Sequence, residues 1–195
     1  MCQTFDMLDK SKSQNKKRPR KITESSLRNI ALHYLQRYAT SKENLKLILK
    51  RRIMNSAQYH EINLTESTVW VETLVEQLAK SGMVDDRTYA EGRMRTLFRR
   101  GESTKSISHR LKQKGVNSNL VQQVIAKLYT ETPDPNLSAA KKLVRRRRLG
   151  PYRQPDTREG RQDKDLAAVA RAGFDFQTAR KVIYAETIKE LEEEL

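Results

Sequence analysis

The segment from Leu97 to Val116 contains the residue types of a phosphate-binding loop. Its sequence, LFRRGESTKSISHRLKQKGV, places Gly101 ahead of a lysine and a hydroxyl side chain, which hold nucleotide phosphates in the GxxxxGK[ST] motif. That motif needs a glycine directly before the lysine so that the backbone can wrap the phosphate, and Thr104 occupies that place. No strand is expected before the segment. We therefore do not predict a nucleotide-binding loop here.

The segment instead fits a corner between two helices. The first helix is predicted to end at Arg99 and Arg100, Gly101 turns the chain, and a new helix begins near Ser103, whose hydroxyl can cap it. The new helix exposes basic side chains along two edges. Three lie at i, i+4 and i+7, away from the apolar side chains, and two more flank the apolar stripe. These basic side chains are Lys105, His109 and Lys112, then Arg110 and Lys114.

Two other basic clusters accompany this helix pair. The stretch KSKSQNKKRPRK at 10–21 has no acidic and no apolar residue, and the run Arg145, Arg146, Arg147 and Arg148 is followed by Arg153. A charge run is ordinarily a solvated surface, but three separate clusters in a chain of net charge +15 favour binding to a polyanion. Arginine pairs with carboxylates as well as phosphates, so nucleic acid and acidic protein are both candidate partners.

Residues that could support catalysis are few. Asp85 and Asp86 are adjacent carboxylates, but acids just ahead of a helix stabilise its N-terminus, and we interpret the pair as structural. His33, His60 and His109 have no second ligand at i+4 and no CxxC frame, so no metal site is predicted. No catalytic triad, nucleophile elbow or cofactor fingerprint occurs. The sequence predicts a protein that is not an enzyme and needs no cofactor.

Apolar residues at helical spacing define the elements that carry these side chains. One stripe of the first helix consists of Leu27, Ile30, Ala31, Tyr34, Leu35 and Tyr38. Thr40 with Glu43 matches the [ST]xxE capping pattern and predicts the start of a second helix. A polar stretch at 55–68 then separates it from a third helix over Val71–Leu78.

The pattern of helices repeats along the chain. Leu35, Ser41, Leu45 and Leu49 precede Leu97, Ser103, Ile107 and Leu111 by 62 positions, and Gly115, Val116, Val124 and Ile125 precede Gly173, Phe174, Val182 and Ile183 by 58 positions. The sequence thus predicts an all-α fold of three tandem three-helix repeats, nine helices in all, in an elongated molecule.

We place the boundaries of this plan from composition and breakers. A flexible basic arm covers 1–21, and the repeats cover 22–82, 83–131 and 132–195, the last with an acidic tail, ETIKELEEEL. That tail is interpreted as a solvated helix end, or else as an internal mimic of DNA that shields a basic face. With a single cysteine, Cys2, and no signal or membrane-spanning segment, we expect a cytoplasmic monomer.

The chain also resembles a known family. The region from Leu78 to Ile125 looks like the central module of the bacterial RecX regulatory proteins, and a weaker likeness extends from about Leu27 to Ile183. The matching residues are Asp85, Asp86, Tyr89 and Ala90 at the aspartate pair, and Gly101, Ile107, Leu111, Lys114, Gly115 and Val116 at the corner and QKG element.

This resemblance implies both a shape and a function. It implies three three-helix repeats in a curved, elongated rod that lies along the RecA filament on single-stranded DNA and limits filament growth and ATP hydrolysis. The basic residues named above would then contact RecA or the DNA backbone. The sequence departs from the family at Ile53, where the later repeats have glycine, and in the insertions at 54–68 and 151–164. The alternative is a stand-alone DNA-binding protein that uses its basic faces without sequence preference.

Overall fold

A computed structural model describes residues 18–193 of the chain. Over that range the backbone is helical and contains no β-strand, which confirms the all-α prediction. The helices are α1 (Glu24–Leu35), α2 (Lys42–Ala57), α3 (Leu64–Lys80), α4 (Asp86–Arg99), α5 (Thr104–Gln113), α6 (Ser118–Glu131), α7 (Pro135–Arg147), α8 (Pro155–Arg158), α9 (Gln162–Arg171), α10 (Phe176–Tyr184) and α11 (Ile188–Glu193). Most of the predicted basic arm, residues 1–17, and the last two residues of the acidic tail lie outside the described residues.

Three successive groups of helices each enclose a separate apolar core. Helices α1 to α3 form the first repeat, α4 to α6 the second, and α7, α9 and α10 the third. Burying one leucine or isoleucine side chain contributes roughly 1.5–3 kcal/mol, so the apolar stripe of each helix faces its neighbours. Leu45 with Ile107, and Leu49 with Leu111, are matched positions of the first two repeats, and all four are fully buried. The predicted helical-repeat fold is therefore confirmed.

Polar side chains define where the helices begin. The residue before the helix accepts a hydrogen bond from a first-turn amide at Thr23, Ser41, Asn63, Asp85, Ser103, Asn117, Asp134 and Asp175. Each such cap contributes about 1 kcal/mol. The predicted capping pair of Thr40 and Glu43 is wrong by one residue. Ser41 is the last extended residue before α2, and its Oγ accepts from the Asn44 N–H at 3.2 Å.

The second helix of the first repeat is longer than predicted. It continues to Ala57, and the next helix begins at Leu64, so most of the expected polar linker is helical. Ile53 accounts for the difference, because it replaces the helix-stopping glycine of the later repeats and its side chain is buried. The buried Ser56 then donates from Oγ to the Arg20 carbonyl at 3.0 Å, which ties the end of the basic arm to the first repeat.

The third repeat departs from the three-helix plan. The described residues contain eleven helices rather than nine, because α8 and two 3-10 turns occupy the insertion before α9, and α11 follows α10. Asp165 on α9 organises that insertion. Its carboxylate accepts hydrogen bonds from Arg153 Nε at 2.6 Å, Arg153 Nη2 at 2.7 Å and the Gly150 N–H at 3.0 Å. The insertion is thus folded back onto α9 by a buried ion pair.

The first two repeats meet at the N-terminus of α2. The Ser41 hydroxyl donates to the carbonyl of Lys114, which ends α5, while the same oxygen caps α2. The next amide, Lys42 N–H, donates to Asp86 Oδ1 at the start of α4, at 2.8 Å. One hydroxyl-to-carbonyl and one amide-to-carboxylate hydrogen bond therefore fix α2 of the first repeat against α5 and α4 of the second.

The second and third repeats meet in the same way. The Ser103 hydroxyl caps α5 and donates to the Ala172 carbonyl at the end of α9, at 2.9 Å. The Thr104 N–H donates to Asn136 Oδ1 at the start of α7, at 3.0 Å. A Cβ added to Gly173 would lie 2.7 Å from Ser103 Oγ, so only glycine leaves room for this contact. The two junctions use one geometry.

The corresponding glycine of the first junction provides a test of this geometry. Gly115 has φ +74°, in the left-handed region, and a Cβ there would overlap the Glu43 Cβ at the start of α2. We expect Gly115→Ala to lower the free energy of unfolding by about 3 kcal/mol, because backbone strain and overpacking add. Urea denaturation followed by circular dichroism measures this change.

Two other glycines separate the strain from the overlap. Gly82 has the same φ of +74° but open space around its Cβ position, so Gly82→Ala should cost about 1 kcal/mol from strain alone. Gly92 is in the middle of α4 with open space, and Gly92→Ala should stabilise by up to about 1 kcal/mol. If Gly115→Ala were no less stable than Gly82→Ala, the close packing of Gly115 against Glu43 would be contradicted.

The buried carboxylate of the third repeat makes stability depend on pH. Burial raises the pKa of Asp165, but hydrogen bonds from Arg153 and the Gly150 N–H outweigh burial and hold this pKa below its ordinary value. The ionised form is thus favoured in the folded state. Its contribution is complete above the unfolded pKa of about 3.9 and is lost as the pH falls through the lower folded pKa.

We expect Asp165→Asn to remove this contribution. The substitution leaves the partly buried Arg153 guanidinium without its counter-charge, so stability at neutral pH should fall by about 3 kcal/mol and less should remain to be lost in acid. Glu72→Gln is the matched control, because Glu72 is exposed and the less exposed Lys46 keeps a second ion pair, with Glu43, so the change should cost about 1 kcal/mol or less. Thermal melts at neutral and acidic pH measure both losses of stability. Equal losses in the two variants at each pH would refute the expectation.

Candidate functional site

The basic face of α5 follows from how that helix is packed. Ser103 starts the helix, and Ile107 and Leu111 are completely buried against the rest of the second repeat. Side chains on the opposite side must therefore face solvent, and Lys105 and Lys112 are both exposed there. They lie 7 positions apart, about 10 Å along the helix axis. This face presents point charges spaced along a straight element.

Three further basic side chains, on α5 or at its C-terminal end, are held by neighbours within the chain. Arg110 Nε forms an ion pair with Glu102 Oε2 at 2.7 Å, Lys114 Nζ donates to Asn44 Oδ1 at 3.3 Å, and His109 Nε2 lies 2.9 Å from Gln113 Nε2. Arg110 keeps about half of its side chain exposed even so. These contacts orient the side chains. The amide of Asn44 is neutral, so it leaves the positive charge of Lys114 uncompensated.

The fold brings together two basic segments that are distant in sequence. Arg146 on α7 donates from Nη1 to the carbonyl of Arg100, which ends α4. Helix α7 ends one residue after Arg146, and Arg148 follows with a left-handed backbone conformation that turns the chain. We call the resulting group the arginine cluster: Arg99, Arg100, Arg145, Arg146, Arg147 and Arg148. All of these side chains are exposed, at the junction between the second and third repeats.

Part of the arginine cluster also stabilises the fold. Arg99 is in the last turn of α4, and Arg145, Arg146 and Arg147 are in the last turn of α7, where cations interact favourably with the helix dipole. Such an interaction is worth about 0.3–1 kcal/mol for an exposed side chain. It requires one cation per helix end, so a run of four arginines exceeds what helix stability needs.

Carboxylates do not neutralise these surfaces. Within residues 18–193, no ion pair involves any of the following seven side chains: Arg99, Arg100, Lys105, Lys112, Arg145, Arg147 and Arg148. The outer face of α5 and the arginine cluster therefore carry uncompensated positive charge. Such surfaces attract phosphates and acidic side chains over a range of about 8–10 Å at physiological ionic strength.

Arg153 differs from the other predicted contact residues. Its guanidinium makes two hydrogen bonds to Asp165, which is 2% exposed, and the hydrogen bonds raise the pKa of Arg153 further. A partner could bind this guanidinium only by leaving a buried carboxylate unpaired. We therefore assign Arg153 to the third-repeat core and not to the candidate surface.

The residues matched to the RecX pattern have structural roles. Asp85 caps α4, and hydrogen bonds from the Thr88 hydroxyl and the Arg87 N–H hold the pKa of its carboxyl below the ordinary value. Asp86 accepts the Lys42 N–H across the first junction. Ala90, Ile107, Leu111 and Val116 are buried in the second core, and Gly101 and Gly115 form left-handed corners.

The described residues contain neither a metal-binding cluster nor a membrane-spanning helix. Residues 18–193 contain no group of three or more His, Cys, Asp or Glu side chains arranged to hold a metal ion. His33 is exposed on α1, and His60 Nε2 lies 2.8 Å from the Pro19 carbonyl, so these histidines serve different local contacts. None of the described helices has the length and apolar character needed to cross a bilayer.

One stretch of the first repeat differs from its predicted role. Tyr38 is predicted on the packed stripe of the first helix, but α1 ends at Leu35 and Tyr38 is 56% exposed. Its ring stands beside Tyr34, with centroids 5.1 Å apart, and Tyr89 on α4 lies across the groove between the repeats. Burial raises the pKa of Tyr89, partly offset by the charge of Arg93. The helical spacing of Tyr38 gave no sign that this residue would lie beyond the end of α1.

The comparisons with known proteins agree with this architecture. Residues 85–125 match the family model described as the second three-helix domain of RecX. A Myxococcus xanthus protein named "Regulatory protein RecX" is 43% identical over 176 residues, which cover 90% of this chain and 93% of the relative. An Agrobacterium fabrum protein of the same name is 31% identical over 166 residues, 85% of each chain.

Solved structures share the fold at lower identity. The crystal structure of RecX from Lactobacillus salivarius matches 87% of this chain and 96% of its own, with a TM-score of 0.57 and 20% identity. A second crystal structure, titled as regulatory protein RecX, matches 82% of this chain and 70% of its own, with a TM-score of 0.58 and 21% identity. Because it is 43% and 31% identical to these two RecX proteins over most of both chains, the chain belongs to the RecX family.

Proposed function

We propose that this protein binds the RecA recombinase and its filament on single-stranded DNA, and that it inhibits RecA ATP hydrolysis, filament growth and strand exchange. The observation that carries the proposal is 43% identity, over most of both chains, to a protein named as a RecX regulatory protein. On this proposal the protein acts in recombinational DNA repair and the SOS response, in the cytoplasm. The protein acts by binding, as a monomer, without a cofactor and without chemistry of its own.

The arrangement of cations supports this mode of action. Lys105 and Lys112 project from α5 in the second repeat, and the arginine cluster lies where the second repeat joins the third. A filament presents acidic protein surface and DNA phosphates side by side, and arginine pairs with both. The predicted repeats at 22–82, 83–131 and 132–195 would then contact successive parts of one filament.

The proposal favours electrostatic contacts over apolar ones. Exposed charge pairs at an interface mainly set the rate of association and the choice of partner, and they weaken as salt increases. The effect on RecA should therefore decrease with ionic strength. Binding to bare DNA would show a similar trend, so the test needs RecA activity as its readout.

We expect the protein to inhibit single-stranded-DNA-dependent ATP hydrolysis by RecA when it is present at far less than one copy per RecA. One molecule that blocks filament growth affects every protomer that would have joined, so a small amount suffices. Titration of the protein into a coupled ATPase assay measures this. An unchanged rate at equimolar protein would contradict the proposal.

Charge reversal identifies the surface that acts. Lys105→Glu with Lys112→Glu should raise the half-inhibitory concentration about tenfold, because repulsion replaces attraction at two contacts. Neither side chain has an ion pair within the described residues, so the fold should not change. Arg180→Glu with Lys181→Glu on α10 is the matched control, since both side chains are exposed and the net charge changes equally. Equal loss in both pairs would mean that net charge alone matters.

A further inference from the structure

A groove between the first two repeats combines aromatic rings with positive charge. Its volume is about 590 Å³, within the range of pockets that hold small ligands. The end of α1 and the loop before α2 form one wall, and α4 forms the other. The side chains that matter most are Tyr34, Tyr38 and Tyr89, with Arg93 and Lys114. The groove is open, and it is separate from the arginine cluster at the second junction.

The tyrosine rings are arranged to receive a flat ligand. Tyr34 and Tyr38 form a tilted pair with an angle of 40° between their planes. Tyr34 is half-buried and supports Tyr38 from one side, while Tyr38 leaves more than half of its surface to solvent. Tyr89 is half-buried on the facing wall. A ring held from one side and open on the other can stack on a second ring with little loss of rotamer freedom.

The charge of the groove is positive. Within residues 18–193, neither Lys114 nor Arg93 forms an ion pair, and the Lys114 ammonium donates to the neutral side-chain amide of Asn44. Asp85 is the one carboxylate among the lining residues, and it accepts from the Arg87 N–H, the Thr88 N–H and the Thr88 hydroxyl. These donors keep Asp85 ionised, so an anion in the groove meets two cations against one carboxylate, and the lining keeps a net positive charge.

We propose that this groove binds one unpaired base of a single-stranded nucleic acid. The base stacks on Tyr38, and the flanking phosphates pair with Lys114 and Arg93. Aromatic side chains and cations together are the usual means of holding single strands without reading their sequence. A duplex does not fit this arrangement, because its bases already stack on one another and turn only their edges outward. The inference needs no RecA and does not rest on the proposed function.

The test compares two oligonucleotides that have the same number of phosphates. One is a short fluorescein-labelled oligodeoxythymidine, and the other has abasic sites in place of the bases. Fluorescence anisotropy of the full chain, without RecA, gives both affinities. We expect the normal strand to bind at least about fivefold more tightly, since stacking on one aromatic ring contributes that much or more. Equal affinities would overturn the proposal, because phosphate contacts alone would then explain binding.

Substitutions assign the stacking to one residue. Tyr38→Ala should weaken binding of the normal strand at least about fivefold and leave the abasic strand unaffected, whereas Tyr38→Phe should keep the affinity. Tyr59→Ala is the matched control, because Tyr59 is also a tyrosine of the first repeat and is 54% exposed against 56% for Tyr38. The high exposure of both residues means that the variants should fold, which melting curves verify.

Two further comparisons complete the assignment. Lys114→Gln should weaken both oligonucleotides equally, since it removes a phosphate contact and no ring. Oligouridine separates DNA from RNA as the source of the base, and a loss with Tyr38→Ala for either strand supports the site. If Tyr38→Ala behaved like Tyr59→Ala on every strand, the groove would not be a base-binding site. That result would leave RecA inhibition untouched, so the two proposals fail independently.

Discussion

The structure depends on a serine hydroxyl that serves two repeats at once. Helix α2 and helix α5 each begin at a fully buried serine, where water has little access to the first amides. The hydroxyls of Ser41 and Ser103 each accept a hydrogen bond from an amide of their own helix. Each also donates a hydrogen bond to a carbonyl of the next repeat. A side chain from the following repeat accepts the next amide. Without these contacts each junction would bury several unpaired polar groups, each costing about 1–3 kcal/mol, so the stacking of repeats and the capping of helices form one interaction.

This constraint also positions the functional side chains. The carbonyl that accepts from Ser41 belongs to Lys114, so the first junction determines where the lysine side chain leaves the backbone, beside the tyrosine groove. The second junction places the end of α4 against α7, where Arg146 can reach the Arg100 carbonyl and gather the arginine cluster. The cations of the surface are therefore located by backbone contacts and not by one another, which is necessary because like charges repel.

Local pattern was enough to predict much of this fold. The apolar spacing that predicts Ile107 and Leu111 in the core, and the glycine corner after Arg100, depend on residues within one or two helical turns, and both are as predicted. The offset matches Ser41 with Ser103, but the capping pattern predicted Thr40, so the first of these two equivalent caps was missed by one residue. What the pattern could not predict depends on partners distant in sequence. Arg153 resembles any exposed arginine until Asp165 folds against it. Which of the predicted cations contact a partner remains a prediction, because charge spacing alone does not distinguish a binding surface from a solvated one.

The two junctions share a frame but present different chemistry. Tyr38 and Arg100 stand 62 positions apart, the same offset that relates Ser41 to Ser103, so an aromatic ring at the first junction corresponds to an arginine at the second. At the same offset Tyr34 corresponds to Thr96, which cannot support a stacked ring. Of the aromatic side chains near the second junction, Phe98 is covered by Lys142, whose Nζ lies 4.3 Å from the ring centroid, and the Tyr129 hydroxyl accepts a hydrogen bond from the Asn136 amide. The first junction thus offers open ring faces and the second offers guanidinium groups. Since bases stack and phosphates or carboxylates pair with arginine, a repeated scaffold can hold one strand at one junction and an acidic surface at the next.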